Sequence, residues 1–140
     1  MTITIPRAEL SRLHAHAEEG FPHEVVGILA GTRADNTVTR VAVLVNERAD
    51  SAHNRYTVSG LALARAEQKL VDEGLEIVGY YHSHPDHPAP YSDFDRDHAW
   101  PNMSYVIVSV LAGRASTTLS WRLRDDRSAM DAEPISIVED

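Results

Sequence analysis

Apolar positions along the chain switch between helical and strand periods, and Gly and Pro mark most of the changes. Pro6 to Glu19 predicts a first helix: Pro6 suits a first helical position, Leu10 and Leu13 share a face, and Gly20-Phe21-Pro22 stops it. Glu24 to Ala30 reads as a short buried strand ended by Gly31, and the β-branched run from Val38 to Val45 as a second. Asn46 to Asn54 is polar, a loop and candidate flap, with Tyr56 and Val58 in a brief strand after it. Ser59 caps a helix from about Gly60 to Glu73, whose predicted buried face is Leu61, Ala64, Gln68 and Val71, with Gly74 at its end. Glu76 to Ser83 is a mostly apolar, central strand. Pro85 to Tyr91 holds three prolines and is a loop. Ser92 to Trp100 is a short helix in which Ser92 and Asp95 resemble a capping pair. Met103 to Leu111 and Thr117 to Arg124 are strands, and Pro134 to Val138 is an edge strand. The order αββ(β)αβαβββ predicts an α/β fold with a mixed, mostly antiparallel sheet and two main helices packed on it.

Length and charge narrow the functional classes. At 140 residues one domain, 1–140, is expected. The net charge of −8 disfavours nucleic acid as main partner, since phosphate binding needs a positive surface. No stretch has the roughly 18 to 20 apolar residues that span a bilayer, and the first residues lack the pattern of a signal peptide, so the expected location is the cytoplasm and no membrane partner is expected. There is no cysteine, so a metal site would need nitrogen and oxygen ligands.

The chemistry concentrates in His82-Ser83-His84-Pro85, with Ser92 and Asp95 downstream. A shuffled chain of this composition would match that four-position pattern roughly 0.003 times. Alternate strand residues share a face, so His82 and His84 project together from the end of their strand. The proline-rich loop brings the following helix back over that end, where Asp95 can supply a third ligand. Two imidazoles and a carboxylate leave the fourth tetrahedral position of zinc open for water, whose pKa falls to about 7 there. Glu24, a carboxylate at the mouth of a buried strand, is the candidate proton shuttle, and Ser92 is placed to donate its hydroxyl to a developing oxyanion. Ser92 is also a plausible N-cap, and the two roles are compatible. His23, His53, His87 and His98 read as solvated histidines, Asp86, Asp93 and Asp97 as an acidic rim, and Trp100 and Trp121 as packing residues.

These residues resemble the JAMM, or MPN-plus, metalloprotease family, whose signature is an upstream Glu, then H-x-H-P, seven residues to Ser, two more to Asp. Glu24, His82, His84, Pro85, Ser92 and Asp95 fill every position. Pro22-His23-Glu24-Val25-Val26-Gly27 and Val78-Gly79-Tyr80-Tyr81 are also similar to family phrases, and the likeness runs from Phe21 to about Val138, closest to compact prokaryotic members. The resemblance implies a cytidine-deaminase-like JAMM fold, with a curved sheet, two main helices and a short helix at the metal site. It implies one Zn²⁺ held by His82, His84 and Asp95, Glu24 as general base and acid, and Ser92 as oxyanion donor. It implies hydrolysis of the amide or isopeptide bond after the C-terminal Gly-Gly of a ubiquitin-like or sulfur-carrier protein, whose tail is the expected partner, laid beside a strand edge. Val25-Val26 departs from the small residue or Cys of many relatives, which implies a packing change. The long insertions of polyubiquitin-cleaving relatives are absent, which favours a small single carrier. The rival readings are a metal-free scaffold of the same fold and a zinc hydrolase of small peptides or amides.

Overall fold

The computed structural model describes residues 1–44 and 60–139. Strand β1 (Ile3–Pro6) leads into helix α1 (Arg7–Gly20), followed by β2 (Val26–Thr32), β3 (Thr37–Val43), α2 (Gly60–Asp72), β4 (Glu76–Pro85), α3 (Asp93–His98), β5 (Ser104–Leu111), β6 (Arg114–Leu123), β7 (Met130–Glu133) and β8 (Ile135–Val138). The sheet order is β7-β6-β5-β4-β2-β3-β1-β8. Four neighbouring pairs run antiparallel (β2 with β3 and β4, β6 with β5 and β7), and three run parallel (β4 with β5, β1 with β3 and β8). This is the mixed, mostly antiparallel sheet expected from the sequence.

The two ends of that order are joined by Pro134 alone. The sheet therefore rolls until its edges meet at one corner, where the Ile3 N–H donates to the Pro134 carbonyl at 3.0 Å. A proline fits there because no ladder donor is needed at the break between two strands.

Helix α1 buries Leu10, Leu13 and Ala17, one stripe at helical spacing, against Leu29, Val41, Val78, Tyr81, Val106 and Val108. Helix α2 covers the other face through Leu70, with Leu63 and Ala66 beside it, against Val26, Ile28 and Ala30. Strand β2 is apolar throughout because both its faces are covered. Each fully buried Leu or Ile contributes about 1.5–3 kcal/mol. Gly27 lies under the Tyr81 ring, which a Cβ there would strike; only glycine lets the two strands pack with that ring inside.

Several expectations are corrected. Ile3–Pro6 is a strand, and Pro6 is the N-cap residue of α1 rather than its first turn. The buried face of α2 is not the one expected: Leu61 and Val71 are 60% and 50% exposed, while Leu70 is buried. Both stripes have helical spacing, and Leu70 wins because Leu75, Ile77 and Tyr80 complete its cluster, with Glu67 accepting a hydrogen bond from the Tyr80 hydroxyl. The edge strand expected over Pro134–Val138 is β8, and a strand not expected, β7, precedes it at Met130–Glu133. The Asn46–Asn54 loop, the Tyr56/Val58 strand, His53 and the Ser59 cap lie outside the described residues.

Candidate metal centre

Strand β4 runs two residues further than the sequence suggests, through His84 to Pro85. It pairs with β2 in antiparallel register, Val26 opposite His82. Beyond that pair the Val25 N–H donates to Ser83 Oγ at 2.9 Å and the Ser83 N–H to the Val25 carbonyl at 3.1 Å. The register carries Glu24 to the position beside His84, on the face that holds both imidazoles.

Asp95 arrives from the other side, on α3. A reciprocal capping box sets it: Ser92 Oγ accepts the Asp95 N–H at 3.1 Å, and Asp95 Oδ2 accepts the Ser92 N–H at 2.9 Å. The carboxylate then faces both rings, Oδ1 lying 3.0 Å from His82 Nε2 and Oδ2 3.2 Å from His84 Nε2. The two Nε2 atoms are 3.3 Å apart. The other nitrogen of His84, Nδ1, sits 2.8 Å from the Pro88 carbonyl, which can only accept. That bond puts the proton on Nδ1 and leaves the Nε2 lone pair pointing at the cluster.

The loop between the ligands is pinned along its length. The Asp86 N–H donates to the Val110 carbonyl at 2.7 Å, Ser109 Oγ to the His87 carbonyl at 2.5 Å, and Trp121 Nε1 to the Ala89 carbonyl at 3.3 Å. The Tyr91 and Trp121 rings meet edge to face at 5.0 Å. Trp121 is thus a packing residue, as expected. Trp100 is not: it is 68% exposed.

Electrostatics match the geometry. Burial pushes the Asp95 carboxyl up, but hydrogen bonds from His82 and from the protonated form of His84, the His82 charge and the Ser92 N–H outweigh it and hold Asp95 well below the usual carboxylate range. Burial pulls the His84 imidazole down, yet the Asp95 carboxylate, the Pro88 carbonyl and the charge of Glu24 raise it on balance.

His82, His84 and Asp95 offer one ligand atom each within 4.8 Å of one another, the single such group among the described residues. Three converging nitrogen and oxygen donors, one orienting bond behind His84, and an open side suit a zinc ion with an exchangeable position. The open side is a cavity of about 620 Å³ lined by Glu24, His84, His87, Ser92, Phe94 and Asp95 among others. Glu24 is buried and Ser92 exposed at its wall. Four of the five residues singled out in the sequence, Glu24, His84, Ser92 and Asp95, line that cavity, and buried His82 joins them through the ligand cluster. His87 lines it as well, although the sequence offered only a histidine in a proline-rich loop.

The family model for prokaryotic homologs of the JAB domain matches residues 6–124. The chain belongs to that family. Among curated JAMM relatives, it is 36% identical over 115 residues to a probable TtuB-protein conjugate cleaving protease of Thermus thermophilus, covering 82% of this chain and 75% of that one. It is 34% identical over 100 residues to a desampylase of Haloferax volcanii, covering 68% and 71%. A solution structure of a Desulfitobacterium hafniense protein superposes with a TM-score of 0.83 at 28% identity, over 100% of this chain and 94% of that one. A JAB1/MPN domain protein of Archaeoglobus fulgidus shares the fold, with a TM-score of 0.64 at 18% identity over 98% and 100% of the chains. The JAMM fold expected from the sequence is the fold found.

Proposed function

We propose that the protein is a zinc-dependent peptidase that hydrolyses the amide or isopeptide bond after the C-terminal Gly-Gly of a ubiquitin-like or sulfur-carrier protein. One observation carries the reading: in a member of this family, a His-His-Asp cluster and a buried glutamate share one open cavity. The names of the two curated relatives, a conjugate-cleaving protease and a desampylase, support the substrate class.

His82, His84 and Asp95 would hold the ion. When bound, zinc acts as a Lewis acid and brings the pKa of water at the site to about 7. Glu24 takes a proton from water in the cavity and returns it to the leaving nitrogen, a role its burial beside His84 suits. The Ser92 hydroxyl accepts the Asp95 N–H through oxygen, so its own proton stays available for a carbonyl oxygen as charge develops there. Strands β2, β4 and β5 are each paired on both sides among the described residues, so the strand edge that takes the carrier tail would be another than theirs.

The test has two parts. Purified protein is expected to hold about one zinc per chain, and His84→Ala to lose it while staying folded. Glu24→Gln is expected to keep the zinc and turn over a Gly-Gly carrier conjugate about 10² to 10⁴ times more slowly. Failure of wild type to take up zinc at neutral pH, or wild-type turnover by Glu24→Gln, would sink the mechanism.

A further inference from the structure

Trp100 is the most exposed aromatic side chain among the described residues, and its surroundings are rigid. Its own N–H donates to the Tyr105 hydroxyl at 2.7 Å. Arg127, from the turn before β7, donates to the carbonyls of Ala99 at 3.0 Å and Asp97 at 3.4 Å, and its guanidinium lies 5.8 Å from the centre of the Trp100 ring. The backbone is fixed and the indole is presented to solvent at 68% exposure. Leaving so large an apolar ring in water forgoes the stabilisation that burial would supply, and the nearby buried cluster of Ala99, Leu123 and Met130 is packed by Tyr91, Tyr105 and Trp121 without it.

The position follows closely on the helix that carries a candidate metal ligand. Asp95 lies within α3 and Trp100 two residues past its end, while Phe94, next to Asp95, lines the cavity and stacks on His98 at 3.9 Å. The charge around the ring is negative: Asp93 and Asp97 share Arg96, and Asp125 and Asp126 precede Arg127 in the same exposed turn. With Arg124 and its partner Asp131 at the base of that turn, five carboxylates meet three guanidiniums.

We propose that Trp100 and Arg127 form a docking point for the protein on the leaving side of the conjugate, and that this partner presents a basic, lysine-bearing surface. A preorganised aromatic ring backed by an arginine is the composition of an interface hot spot, and the acidic surround selects positive partners and speeds their encounter. The inference rests on the proposed peptidase reading and adds to it a selection of the leaving protein. A glycine tail has no side chain to meet an indole, so the contact falls to a folded surface.

The test uses two conjugates of one β-grasp carrier, joined through its Gly-Gly terminus to a lysine of a short neutral peptide or to a lysine of cytochrome c, a basic protein. Trp100→Ala in the zinc-loaded protein is expected to raise KM for the cytochrome c conjugate about 5- to 20-fold, with kcat and the peptide conjugate within about twofold of wild type. Added salt should raise the wild-type KM for the protein conjugate only. Equal effects of Trp100→Ala on both conjugates, or none on either, would overturn the docking assignment; an equal effect would instead mark the carrier as the occupant. Wild type cleaving neither conjugate would overturn the peptidase reading itself.

Discussion

In the proposed mechanism Ser92 joins two roles in one hydroxyl, and substitution separates them. Its oxygen caps α3 and so sets Asp95, while the residue lines the cavity. Loss of the cap costs about 0.5–2 kcal/mol on changing Ser to Ala but only a few tenths on changing it to Gly, whereas an oxyanion donor is lost equally in both. Ser92→Gly is therefore expected to retain most of the thermal stability and the zinc, yet to lose about 10² to 10³ in kcat, as Ser92→Ala does. Near-wild-type turnover by Ser92→Gly on a Gly-Gly carrier conjugate would reduce Ser92 to a cap. At this scale the sequence was informative because spacing carries the information: H-x-H on a strand fixes a shared face, and S-x-x-D fixes a capping box. Glu24 was harder to read. Nothing in Pro22-His23-Glu24-Val25 reveals which residue of β4 lies opposite; the Val26–His82 register settles that, and register is a property of two strands.

The element that shapes the centre is the Pro85–Tyr91 loop, which the sequence marked only as irregular. Its prolines predict the absence of regular structure but not the bonds that hold it, since those reach Ser109, Val110 and Trp121 on β5 and β6. The same holds for α2, where two stripes of equal spacing compete and the partner sheet chooses between them. Trp121 matters because its indole N–H holds Ala89, next to the Pro88 carbonyl that fixes the His84 tautomer. Trp121→Phe keeps the edge contact to Tyr91 and removes that donor. Outer-shell partners of metal ligands are worth about 10–100-fold in affinity, and Trp121 acts one step further out. A zinc dissociation constant raised up to about 10-fold is expected, with little change in melting temperature, read by competition with a chromogenic chelator. An unchanged constant would show that the loop keeps its shape without the indole.

At the scale of the whole molecule, two polar devices sit at opposite ends of the sheet. At the corner closed by Pro134, Arg122 Nη1 lies 3.7 Å from Glu133 Oε2, a buried oxygen with no hydrogen bond, while Ser120 Oγ donates to Oε1 at 2.7 Å. Arg122→Met strands that carboxylate and is expected to cost about 3 kcal/mol by chemical denaturation, with Glu133→Gln restoring part of the loss in the double variant. A cost below about 0.5 kcal/mol would mean that water reaches Glu133. At the metal end, pH tests whether proton and zinc compete for one nitrogen. In the metal-free protein the pKa of His84 is raised, so its contribution to stability is fully present below about pH 6.5 and is lost as pH rises through the raised value. His14 and His16, half-buried behind the sheet, have pKa values lowered by burial against the opposing pull of Glu18 and Glu19. Their contribution is full above about pH 6.5 and is lost as pH falls through the lowered values, with or without zinc, so it cancels when the two forms are compared. Asp95, held low, contributes above about pH 4 and titrates below the range of interest. Zinc needs His84 neutral, and its stabilisation follows RT ln(1 + [L]/Kd). At fixed free zinc, the melting-temperature gap between loaded and metal-free protein is therefore expected to widen from about pH 5.5 to 7.5, the metal-free form losing the His84 contribution as the loaded form binds more tightly. A gap that is flat or narrows over that interval, with zinc bound throughout, would remove His84 from the ligand set, because an ion held elsewhere would leave the raised imidazole to titrate unopposed.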